Sequence, residues 1–176
     1  MAYNEAYTHS LDGMSFNIER ATLNLLSIVM ADKPIKEKCF EFDVPNLQWI
    51  EEIKESEAIR LAVEISVQYR MMESNIKDKS WLDDQLIVGV LQPNRNNDEH
   101  IDLNIREACN KIIHAKEFGF DVQKFRGKEQ HYFKPFFNIT GTKGKSDWFA
   151  YIDVLFFCNA VNRPMDLPWK SKLLTR

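Results

Sequence analysis

Residues 59–69, IRLAVEISVQY, carry two periodicities at once, and the choice between them decides the fold. Ile59, Leu61, Val63, Ile65, Val67 and Tyr69 alternate with mostly polar neighbours, which is the period of two expected of a half-buried strand. The same residues sit inside a longer stretch, Leu47 to Ile76, that contains neither glycine nor proline and opens on an acidic segment. It is rich in Glu, Arg, Gln, Met and Ala, which favour helix, and it is long for a strand. The stretch is read as helix, with strand over 59–69 as the competing reading. That choice tips the whole chain towards an α class.

Working outward, Met14 to Asp32 places Phe16, Ile18, Leu23, Leu25, Leu26, Ile28 and Val29 in a helix-length run that ends before Pro34. Lys38 to Pro45 reads as a loop or a brief strand. Trp81 to Leu91 is a short apolar element, and Pro93 to His100 is a polar, turn-rich loop. A helix follows over DLNIREACNKIIHAKEF, Asp102 to Phe118, with Asp102 as its N-cap and Gly119 at the left-handed position after its end. Phe120 to Phe125 and Tyr132 to Thr140 look extended and form a hairpin. The apolar run Trp148 to Val161 then reads as a buried helix, in which Asp153 needs a hydrogen-bonding or cationic partner such as Arg or Lys. The expected fold is mainly α, a helical bundle-like single domain over 1–176 with a small β-hairpin in its C-terminal third. Residues 1–13 and 164–176 are expected to be flexible or to wrap the surface.

Composition narrows the class without naming a function. The 176 residues are 44% hydrophobic, enough for a sizeable core, and fall within the usual size of one domain. A net charge of -3 and a pI near 5.8 supply no global attraction to nucleic acid or anionic lipid. Cys39, Cys109 and Cys158 are odd in number and lack CxxC spacing, which points to reduced thiols and a cytoplasmic setting. The start, MAYNEAYTHSLDG, has no basic or apolar signal region. The run Trp148 to Val161 is shorter than the roughly 18–20 residues of a membrane span, so no membrane partner is expected.

Within the helix at 102–118, Arg106, Asn110 and His114 recur every four residues and form a shallow polar row. Ile105, Ala108, Cys109, Ile112 and Ala115 define its core face. Leu103 and Phe118 lie on the same far side as His114, so this helix is expected to meet a second surface, as in a homodimer. The plain alternative is a solvated helix face.

The segment Cys109-Asn110-Lys111-Ile112-Ile113-His114 resembles the motif of HEPN-type helical proteins, in which an arginine, often followed by asparagine, precedes a histidine by five to seven positions. Asn110 and His114 match, Cys109 occupies the arginine position of the shortest form, and Arg106 stands one residue beyond the longest. The resemblance implies an RNA-engaging protein of a bacterial or prophage conflict system, such as toxin–antitoxin or phage defence. Such a protein is a metal-independent ribonuclease or a non-catalytic relative. In a nuclease, His114 would act on the 2′-hydroxyl as general base. Arg106 would stabilise charge on the phosphate, and Asn110 would orient the phosphate or the imidazole. The competing function is a non-enzymatic interaction or inhibitor module that blocks or scaffolds a protein partner.

Lys124, Arg126, Lys128, Lys134, Lys143 and Lys145 face one acidic residue, Glu129, and are interleaved with Phe125, Tyr132, Phe133, Phe136 and Phe137. Cations beside exposed rings suit single-stranded RNA or DNA. The same alternation arises in a hairpin that buries one face. Gly144-Lys145-Ser146 lacks P-loop spacing, because Ile139 stands where the first glycine belongs. The scattered His9, His100, His114 and His131 form no metal motif, so neither metal nor cofactor is expected.

Overall fold

A computed structural model describes residues 2–42, 48–75, 86–127, 130–144 and 146–163. In chain order these form α1 (Ala2–Glu41), α2 (Gln48–Asn75), β1 (Ile87–Gln92), β2 (Ile101–Asn104), α3 (Ile105–Ile113), β3 (Glu117–Lys124), β4 (His131–Lys143), β5 (Ser146–Asp153) and α4 (Val154–Asn162). The strands make one antiparallel sheet in the order β2-β1-β5-β4-β3. The fold is therefore a sheet-rich α+β arrangement, which overturns the expected mainly α bundle with a small hairpin.

The helical reading of 59–69 holds, and the reason lies in which residues are buried. Ala58, Ala62, Ile65, Tyr69 and Met72, at alternating steps of four and three, line one side of α2. Ile18, Thr22, Leu25, Val29, Asp32 and Lys36 do the same on α1. Such seams bring two helices together lengthwise. An ion pair from Lys54, early in α2, to Asp32, late in α1, sets the two antiparallel. Val63 and Val67, two of the six residues of the apparent strand pattern, are exposed.

α1 reaches Glu41 and carries Pro34 inside it, rather than ending at Asp32. An internal proline costs a helix about 3 kcal/mol. Contacts on both sides of it offset that cost. Asp32 Oδ2 accepts the backbone N–H of Phe133 at 2.6 Å, and Lys36 Nζ donates to the carbonyl of His131. The last turns of α1 are thereby tied to β4.

The run Trp148 to Val161 is not one helix. It is strand up to Asp153 and helix after it. Asp153 is the N-cap of α4, accepting the N–H groups of Leu155 at 2.8 Å and Phe156 at 3.1 Å, so its partners are backbone donors rather than Arg or Lys. α3 is also shorter than expected. Asn104 caps it by accepting the N–H of Glu107 at 2.8 Å, whereas Asp102 lies in β2 and Gly119 in β3. The extended readings of 120–125 and 132–140 hold, as the paired strands β3 and β4. Trp81 to Leu91 contributes β1 from Ile87 on, and its residues 81–85 lie outside the described residues, as does the tail 164–176.

Alternation gives the sheet two unlike faces. Phe137 and Ile152, Ile139 and Ala150, and Gly141 and Trp148 are paired across β4 and β5 and all are buried. The helices pack on this inner face; the Lys111 ammonium, for example, lies 4.5 Å from the centre of the Trp148 ring. Gly141 is fixed by that packing, because a Cβ there would stand 2.2 Å from the Trp148 indole. Pro135, which cannot donate to the ladder, falls where the β3–β4 register shifts between Phe120 and Val122. Among the described residues, no helix is long and apolar enough to cross a membrane.

Candidate functional site

Two of the three side chains in the polar row on α3, Arg106 and Asn110, are engaged with their own protein. Arg106 Nε lies 2.9 Å from Oε1 of Glu73, a buried carboxylate on α2 that also pairs with Arg70. Asn110 Nδ2 donates to Glu107 Oε2 at 3.2 Å, one turn back on the same helix. His114 is exposed and forms the C-cap, its backbone N–H donating to the carbonyl of Asn110. With a rise of about 1.5 Å per residue, Arg106 and His114 stand roughly 12 Å apart along the axis. One copy of the helix therefore does not bring the guanidinium and the imidazole to one phosphate.

Cys109, at the arginine position of the motif, is buried, and burial pushes its thiol up to about 12. Cys158 is pushed up to about 12 for the same reason. Both are protonated packing groups at neutral pH.

The basic residues of the hairpin do not form one patch. Lys124 ends β3 and Arg126 follows in the turn, whereas Lys143 ends β4 at its opposite tip. At about 3.4 Å per residue the two groups are roughly 40 Å apart. Lys134, between them, pairs with Asp121 at 2.9 Å. Lys128 and Lys145 lie outside the described residues. The interleaved aromatics divide as well: Phe133 and Phe137 are core, and Phe125 packs against Phe40 and Tyr132. Phe136 alone of the set joins the outer face of the sheet, stacked on Tyr151.

That outer face is the feature sequence reading missed. One register row, Gly119, Asn138, Tyr151, Val90 and Asp102, crosses all five strands. The next holds Glu117, Thr140, Phe149 and Gln92, and on the other side Phe136 pairs with Asp153. None of these residues is buried, although Tyr151 and Phe136 stack with centroids 4.8 Å apart and planes 16° from parallel. The Tyr151 hydroxyl donates to Asp121 Oδ2 at 3.1 Å, reaching over β4 to β3. The Lys134 ammonium and the Tyr151 hydroxyl hold the Asp121 carboxyl below its usual range against the opposing effect of burial. Partial burial, reinforced by the hydrogen bond to Asp121 and by its charge, pushes the Tyr151 phenol up to about 12. Tyr151 thus remains a protonated donor, and the network fixes the ring of the aromatic pair.

The signal was present in the alternation of Trp148, Ala150 and Ile152 with Phe149 and Tyr151. Because both sets are apolar, the segment reads as buried all round. Among the described residues no cluster of His, Cys, Asp or Glu is arranged to hold a metal ion. No protein-family model, no curated protein and no solved structure matches the chain.

Proposed function

We propose that the chain is a protein-interaction module that seats a partner on the outer face of its sheet. The reading rests on one observation: Val90, Phe136, Phe149 and Tyr151 share that face, and none of the four is buried. Contiguous apolar groups rimmed by polar ones mark contact surfaces, and aromatic rings anchor them. Strands hold these rings in fixed positions, so little conformational freedom is lost on docking.

A photo-crosslinking amino acid placed at Phe149 in cells of the source organism tests the reading. A discrete adduct is expected from that position and not from exposed Ser74 on α2, and Tyr151→Ser should abolish it. Adducts that are equally abundant from both positions would overturn the reading, as would none from Phe149.

A second reading keeps RNA as the target, through the exposure of Arg106 and His114 on α3 and the one-helix HEPN resemblance. It requires a homodimer, in which one protomer's guanidinium meets its partner's imidazole. Cleavage of unstructured RNA in EDTA, lost in both His114→Ala and Arg106→Ala, would establish it. No cleavage by the unaltered protein, together with unchanged RNA affinity in both variants, would remove it.

A further inference from the structure

The sign of the charge on the outer sheet face says what kind of partner fits there. Its strand positions carry Asp102 on β2, Glu117 and Asp121 on β3, and Asp147 and Asp153 on β5, against a single cation, Lys134 on β4. Two of these carboxylates are already committed: Asp121 to Lys134 and Tyr151, and Asp153 to the first turn of α4. Asp102, Glu117 and Asp147 are exposed, and among the described residues no cation pairs with them. Asp147 stands two residues before Phe149 on β5, Asp102 lies beyond Val90 from Tyr151, and Glu117 lies beyond Thr140 from Phe149. Over β3 the face also has a gap, because Gly119 lies between Glu117 and Asp121 and a Cβ built there meets nothing within 4 Å.

We infer that this face takes a cationic segment of a partner protein, with arginine side chains lying against the aromatic pair and reaching the rim carboxylates. The inference rests on the interaction reading and deepens it. A guanidinium is suited to both halves of such a surface, since it stacks on aromatic faces and offers a planar fork of donors to carboxylates. RNA meets the opposite condition: its phosphates would approach a face with an excess of negative charge, whose one strand cation, Lys134, is already paired with Asp121.

Fluorescence anisotropy on the full chain tests the inference, using short labelled peptides in which leucine alternates with arginine, lysine, serine or glutamate, and a single-stranded oligouridine of similar length. The arginine peptide should bind at least about tenfold tighter than the serine peptide, and the difference should shrink as salt is raised. Gly119→Val should keep the fold, because its Cβ enters open space and a β-branched side chain suits a strand, and should weaken the arginine peptide about tenfold. Glu117→Gln should weaken it in the same direction, and Tyr151→Ser more than either.

Equal binding of the serine and arginine peptides, preferential binding of oligouridine, or no binding of any peptide would each overturn the cationic inference. So would an unchanged affinity in folded Gly119→Val. The crosslinking experiment at Phe149 is independent of these outcomes. An adduct there together with no arginine preference sinks the inference alone, and loss of the adduct sinks the interaction reading beneath it.

Discussion

Asp32 illustrates how single residues decide this architecture. It is a buried carboxylate late in α1 that meets Lys54 of α2, Lys36 of its own helix and the N–H of Phe133 on β4. Removing one member of a buried charged cluster typically costs about 3–5 kcal/mol, because the remaining charges and donors lose a desolvated partner. Asp32→Ala is expected to destabilise the protein by about 3 kcal/mol, measured by urea unfolding, and to loosen α1 from the sheet. Asp121 is a milder case. Its folded carboxyl is held below the ordinary aspartate value of 3.8, so its stabilising contribution is fully present above that pH. The contribution disappears as pH falls through the lower folded value. Lys134 is 37% exposed, so solvent screening keeps the pair to about 1 kcal/mol or less. The stability difference between the protein and Asp121→Asn should therefore be full at neutral pH, shrink once pH falls below about 3.8, and vanish below the lower folded value. A difference that grows in acid would contradict this assignment.

At the scale of elements, boundaries depend on caps that the sequence offered in more than one place. Asp102 and Asn104 are both acceptable cap residues two positions apart. Asn104 prevails because the pairing with β1 runs through Asp102 opposite Val90 and Leu103 opposite Gly89 and ends at Asn104 opposite Ile87, so the chain first turns helical at Ile105. Asn104→Ala should cost about 1 kcal/mol and Asp102→Ala almost nothing, as read by thermal unfolding of the two variants. The reverse order would return the helix start to Asp102. α2 was legible for a related reason: helix-favouring residues fill it, and its buried positions keep the four-and-three spacing despite the coincidental alternation of Val63 and Val67. Pro34 misled the reading of α1, since local preference says stop while Asp32 and Lys36 anchor the turns around it.

Across the whole molecule, β5 is the middle strand of the sheet, hydrogen-bonded on both sides, with the helices over its inner face. Its amides should exchange with solvent only on global unfolding, and those of the edge strands β2 and β3 that point away from their single partners should exchange faster. Hydrogen-exchange mass spectrometry checks this, and faster exchange in β5 than in β3 would contradict the strand order. The same order explains why one face is free. With the helices on one side, the other carries Tyr151, Phe149, Phe136 and Val90 among carboxylates.

The sequence by itself determined the helical character of 48–75, the extended segments of the β3–β4 hairpin and the apolar content of 148–161, because these follow from local propensity and short-range periodicity. Only the tertiary structure decided that 148–161 divides at Asp153, that Arg106 turns to Glu73, and that five strands from distant parts of the chain place an aromatic, acidic row on one surface. Strand partners and their register are set by non-local hydrogen bonds and by which face the helices cover. A linear pattern of apolar residues leaves that choice open, since the residues that line the core and those that line the free face of β5 are alike in polarity.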